Sequence, residues 1–248
     1  MRHQVVVEAD QMGAHTRATS EPSELDTSGS LAIFDLDRTL HAGSGLGVLA
    51  QLAFRRRLIG PGRAVRSLLH DVVFRKLGST DDQISSIAEL ALEMAAGVRS
   101  EDLAPVVDAA AQQIAESVRP PMQLLLDNHL QAGHFCVLLS ASPQPLVEQV
   151  ATLLGAHRGI GTVIETDDAG VLTGRIVQPM CYGEGKLDRL DAAIGWSPET
   201  GSSTFTYAYA DSMSDLPLLE AVNSPVVIVP DKPLRRLAAE RDWPVIDF

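Results

Sequence analysis

The sequence predicts an α/β fold, a parallel β-sheet covered by helices on both faces, with a block of helices inserted after its first strand. Three observations carry this. From residue 121 onward, short apolar runs of strand length alternate with helical patterns, as strand–helix–strand units do. The first apolar run, Leu31-Ala32-Ile33-Phe34, has no polar face and reads as a strand buried on both sides. Between that run and the alternating half, helical spacing continues with no strand signal.

Composition sets the outer bounds. A chain of 248 residues, 45% of them hydrophobic, can build one large α/β domain or a core plus an insertion. The formal net charge of −12 argues against nucleic acid or an anionic membrane as main partner. The two cysteines, Cys136 and Cys181, are far apart and lack metal-ligand spacing. That usage fits a reducing compartment, so the expected location is cytoplasmic. No apolar run reaches the length of a membrane span, and no signal-peptide apolar region opens the chain.

The elements follow in order. Residues 1–30 hold no aromatic side chain and turn rich in Ser, Thr, Glu and Asp after Met12, so a disordered tail is expected there. The strand at 31–35 comes next, followed by the hinge-like loop His41-Ala42-Gly43-Ser44-Gly45. Helical patterns then cover 46–58, 62–77, 81–96 and 101–118. Thr80 and Gln83 form a capping box for the third, Ser100 is the expected cap of the fourth, and Pro120-Pro121 closes the block. The expected organisation is therefore a core of 31–43 and 120–248 with a helical cap over 44–119.

Alternation resumes with a helix over 121–132, stopped by Gly133, and a strand over 135–140. A helix over 144–154 stops at Gly155, and strand 161–166 turns through Asp167-Asp168-Ala169-Gly170 into 171–177 as a hairpin. Helix 185–194, strand 205–210, helix 214–222 and strand 225–229 complete the set.

Chemistry concentrates at strand ends, where open α/β sheets bind ligands. The first strand runs into Asp35-Leu36-Asp37-Arg38-Thr39, two carboxylates and a hydroxyl. Alternate residues of an extended chain point to opposite faces, so Asp35 and Asp37 converge only if the chain curls after Phe34. A close pair of carboxylates repels, and a hard cation such as Mg²⁺ relieves the repulsion. Strand 135–140 ends in Ser140-Ala141-Ser142, where a hydroxyl and backbone amides suit an anionic oxygen. Lys186 opens a helix, where its charge opposes the dipole, and Asp211 and Asp215 follow another strand four residues apart. Each has a plainer reading by itself: a polar loop, an N-cap serine, a surface lysine, helix-capping acids.

Taken in order, acid pair, hydroxyl, lysine and acid pair form a magnesium and phosphate site. The chain resembles the haloacid dehalogenase superfamily of phosphohydrolases through Asp35-x-Asp37-x-Thr39, Ser140, Lys186 and Asp211-x-x-x-Asp215. The helical insertion is similar to the cap of its phosphoserine phosphatase-like branch. The resemblance implies a Rossmann-like core and a phosphatase acting on a small phosphorylated metabolite. It implies that Asp35 is the nucleophile and Asp37 the acid and then the base. It implies that Mg²⁺ is held by Asp35, the backbone carbonyl of Asp37, and Asp211. Thr39, Ser140, Ala141 and Lys186 would bind the phosphoryl group, and Asp215 would orient Lys186 or metal-bound water. Arg38 stands where a glycine is common in the superfamily. Phosphoserine phosphatases proper carry a glutamate soon after the first motif, whereas here no acid lies between Asp37 and Asp71. A less zwitterionic ester, such as a glycerol or sugar phosphate, is the expected substrate. The alternatives are phosphoserine phosphatase proper and a non-catalytic module that binds a phosphometabolite.

Overall fold

The computed structural model describes residues 29–58, 92–93, 95–201 and 204–248. The expected helix over 62–77, most of the helix over 81–96, the Thr80 capping box and all but the last two residues of the expected tail lie outside them.

The sheet consists of β1 (Leu31–Asp35), β2 (Phe135–Pro143), β3 (Arg158–Thr162), β6 (Thr206–Ala210), β7 (Ser224–Ile228) and β8 (Val245–Ile246). A separate antiparallel hairpin is formed by β4 (Ile164–Thr166) and β5 (Leu172–Ile176). The main sheet runs β3-β2-β1-β6-β7-β8 with every pairing parallel. The chain winds outward from β1 to β3, then crosses back to β6 on the other side of β1. At that reversal the connections leave β1 and β6 in opposite directions, which opens a crevice at their carboxyl ends.

Seven α-helices occur among the described residues: α1 (Gly45–Arg55), α2 (Ser100–Glu116), α3 (Pro120–Gln131), α4 (Gln144–Leu154), α5 (Gly185–Ile194), α6 (Leu216–Ala221) and α7 (Lys232–Glu240). The two faces of β1 explain its uninterrupted apolar run. Ala32 and Phe34 face Met122 and Leu126 of α3 and Leu146 and Val147 of α4. Leu31 and Ile33 face the layer of α5 and α7 through Leu190, Ile194, Leu234 and Ala238. These four apolar side chains are fully buried, and the larger ones contribute about 2 kcal/mol each in transfer free energy. The buried stripe of α2, Val106, Ala110, Ala111 and Ile114, joins the first cluster together with Leu49 and Ala53 of α1.

Four local readings change. Ser100 does not cap α2: Arg99 holds the cap position without a side-chain bond, and Ser100 is already helical. Pro120 and Pro121 do not close α2; they form the first turn of α3, where a missing N–H costs nothing. The helix expected over 214–222 is a 3₁₀ turn (Met213–Asp215) followed by α6, because Pro217 cannot donate back to the preceding turn. The strand expected over 161–166 divides at Val163, its first part pairing with β2 and its second with β5. No described helix is long and apolar enough to cross a membrane.

Candidate active site

The loop after β1 supplies the curl that the acid pair requires. It is closed by Arg38 N–H donating to Gly43 O at 3.1 Å and His41 N–H donating to Leu36 O at 3.2 Å. Arg38 takes a φ of +64°, the left-handed region that glycine enters most readily. As a result Asp35 and Asp37 line one pocket of about 300 Å³, shared with Ser142, Lys186, Asp211 and Asp215.

Lys186 is 3% exposed, so it is no surface lysine. Its Nζ donates to Asp35 Oδ1 at 2.7 Å and to Asp215 Oδ1. Burial alone would lower the lysine pKa; Asp215 and Asp35 outweigh it and hold the ammonium charged. The unfavourable position at the helix start is therefore compensated by two carboxylates. Asp215 is fixed in turn by Ser212 Oγ, which donates to its Oδ2 at 3.1 Å.

The carboxylates outnumber the cations beside them. Burial pushes Asp35 up to about 8, Lys186 opposes, and Asp215, Asp211 and Asp37 add to the rise. Burial also lifts Asp211 to about 6, against the pull of Arg38, whose Nε lies 3.1 Å from Asp211 Oδ2. Oxygens of Asp35, Asp211 and Asp215 lie within 4.8 Å of one another. The Oδ1 atom of Asp211 is buried without a hydrogen-bond partner among the described residues. Several hard oxygens crowded together, one of them unpartnered, fit a cation such as Mg²⁺.

Asp37 lives in a different environment. Burial would raise its pKa, but hydrogen bonding by His41, the Gly45 N–H and Ser140 outweighs burial and holds it below the usual carboxylate range. Ser140 Oγ donates to Asp37 Oδ2 at 2.9 Å and Ser142 Oγ to the same atom at 3.1 Å. Gly45 N–H, at the start of α1, donates to Oδ1. Burial and like charge raise Asp35 while hydrogen bonds lower Asp37, so Asp37 is the ionised acceptor of the resting site.

Thr39 is fully buried, and its Oγ1 has no partner among the described residues. Ala141 lines the pocket, and its carbonyl accepts from Thr162 Oγ1 at 2.8 Å. Ser140 is fully buried and committed to Asp37. Sequence reasoning read His41 and Gly45 only as parts of a hinge-like loop and assigned no site role to them or to Ser142. Ser142 carried a signal, since it repeats Ser140 two positions on and so shares its strand face. Gly45 follows the N-cap Ser44, and helix N-termini present N–H groups to anions. His41 carried no readable signal.

This fold and this site define a class of hydrolase. Residues 32–220 match the model of the haloacid dehalogenase-like hydrolase family, and the chain belongs to that family. It is 31% identical to a histidinol-phosphatase of Neisseria meningitidis, over 88% of this chain and 99% of the relative. It is 32% identical to a phosphoserine phosphatase of Mycobacterium tuberculosis, over 88% of this chain and 70% of the relative. A crystal structure of a Bordetella pertussis protein of unknown function superimposes with a TM-score of 0.75 at 30% identity, covering 88% of this chain and 98% of that one.

Proposed function

We propose that this hydrolase is a Mg²⁺-dependent phosphatase that cleaves a small phosphomonoester through phosphoryl transfer to Asp35. One observation carries the reading. A buried lysine bridges Asp35 and Asp215 beside the unpartnered Oδ1 of Asp211, and Asp37 lines the same pocket. The phosphatase names of the two relatives support it.

Mg²⁺ would be held by Asp35, Asp211 and the backbone carbonyl of Asp37, and when bound it would offset charge on the carboxylates and the phosphoryl group. Asp35 attacks phosphorus, and the bond from phosphorus to the ester oxygen breaks. Asp37, an ionised acceptor in the resting site, takes up the proton of the phosphate monoanion and passes it to the departing oxygen, which leaves as the alcohol. Water then attacks the phosphorus of the aspartyl-phosphate and passes its proton to Asp37, which hands it to the released inorganic phosphate as the Asp35 carboxylate is restored. Lys186 stays charged throughout and keeps Asp35 oriented. The Thr39 hydroxyl is available to a phosphoryl oxygen.

Every carboxylate lining the described pocket belongs to this machinery. None is left for the ammonium of phosphoserine, which favours a less zwitterionic ester; Asp71 and Glu89 of the insertion lie outside the described residues. Residues 44–119 are read as the cap over the site. Free Cys136 and Cys181 fit a cytoplasmic location. The direct test is turnover of an aryl phosphate with Mg²⁺ and its loss in EDTA; undiminished turnover after complete metal removal would reject the proposed site.

A further inference from the structure

The catalytic pocket continues beyond its carboxylates. Leu46, Ala141 and Met180 line it and also line a second cavity of about 90 Å³. That chamber lies between α1, Leu92 and Ala95, and the β4–β5 hairpin, and Ala50 and Ile176 form part of its wall. None of the described lining residues is charged, and Thr162 alone among them carries a hydroxyl. That hydroxyl is already engaged, donating to Ala141 O at 2.8 Å and accepting from Cys181 N–H at 3.2 Å.

A leaving group that extends into this chamber meets no charged side chain and no uncommitted hydroxyl among the described residues. Hydroxyls and ammonium groups lose water there without gaining a partner. Methylenes gain from leaving water. The chamber is smaller than an apolar cavity that accepts benzene, and it suits a short chain of roughly four carbons.

We infer that the chamber receives the leaving group, and that the substrate is the phosphate ester of a short, largely apolar alcohol. This rests on the phosphatase reading and narrows it. It separates the site from one built for phosphoserine or for a polyol phosphate.

The test is kcat/KM with Mg²⁺ for methyl, ethyl, propyl, butyl and pentyl phosphate, alongside glycerol phosphate, phosphoserine and an aryl phosphate. The expected rise is about fourfold per methylene until the chamber is full near butyl. Butyl phosphate should exceed glycerol phosphate by at least about tenfold, because the two added hydroxyls find no partner. Ala50→Phe, which fills the chamber, should reduce the butyl-to-methyl ratio by at least about tenfold. Ile176→Ala, which enlarges it, should move the optimum to a longer chain. A flat alkyl series, or preference for phosphoserine or glycerol phosphate over butyl phosphate, overturns the inference and leaves the phosphatase reading standing. Failure to hydrolyse any of the esters, the aryl phosphate included, overturns both.

Discussion

Gly45→Ala tests how Asp37 is held in place. Gly45 is the first residue of α1, and its N–H donates to Asp37 Oδ1. A Cβ added there would lie 2.9 Å from Ser142 Oγ, 3.2 Å from Asp37 Oδ1 and 3.4 Å from Leu146 Cδ2. The first distance is too short, so the Ser142 hydroxyl must move, and its 3.1 Å bond to Asp37 is lost. A hydrogen bond to a charged group contributes about 1.5–3 kcal/mol. Expressed in the transition state, that is a fall of roughly tenfold to a hundredfold in kcat/KM. Gly45 is the first helical residue, so the helix-interior preference for alanine gives little in return, and a bond lost from a buried carboxylate lowers stability as well. Steady-state kinetics with an aryl phosphate, beside urea unfolding of the same preparation, reads both quantities. The expected result is a catalytic loss together with a lowered unfolding midpoint. Activity within twofold of the parent refutes the role of this contact, and a midpoint at or above the parent's refutes its contribution to the fold.

Lys186→Met should remove activity by at least about a thousandfold and destabilise the fold by about 3–5 kcal/mol, because two buried carboxylates lose their shared cation. Urea unfolding checks the second figure, and a midpoint equal to the parent's would contradict the buried bridge. His129 titrates far from the site. Burial and then the neighbouring His134 lower its pKa to about 4, with Tyr209 OH 2.7 Å from its Nε2. Between about pH 4 and the ordinary histidine range near 6.5, the unfolded His129 binds a proton that the native one lacks, so its own contribution to stability rises with pH across that window, against the opposite contributions of Asp35 and Asp211. His129 should contribute up to about 3 kcal/mol to that rise, and His129→Gln should flatten it; an unchanged slope in the variant would show that His129 is not responsible.

The parts of the fold that follow from local pattern were legible in the sequence. β1 could be read because burial on both faces leaves an uninterrupted apolar run, and Gly133 and Gly155 marked the ends of α3 and α4 because both adopt positive φ. The Ser100 and Pro120 readings failed because the residue types suited either side of a helix boundary, and only the path of the chain decides which. At the site, residue types and order picked out the groups that meet in space, but their environments could not be read. Nothing local shows that Lys186 is buried between two acids 151 and 29 positions away. Nor does anything local show that Ser140 faces Asp37, since that contact joins residues 103 positions apart. The depressed pKa of Asp37 depends first on His41 and then on the Gly45 N–H, which arrives only when α1 packs beside β2.

The central claim is that Asp35 carries the phosphoryl group during turnover, and acid-quenched mass spectrometry of Asp37→Asn tests it directly. With an aryl phosphate the leaving group needs no proton, so transfer to Asp35 can proceed. Hydrolysis of the adduct then stalls because no base accepts the proton of water. A phosphoryl adduct should appear on the peptide containing Asp35 after mixing with substrate and Mg²⁺, should be released by hydroxylamine, and should be absent from the Asp35→Asn, Asp37→Asn double variant. An adduct on any other residue, or burst-free turnover with no adduct in either protein, would contradict the account.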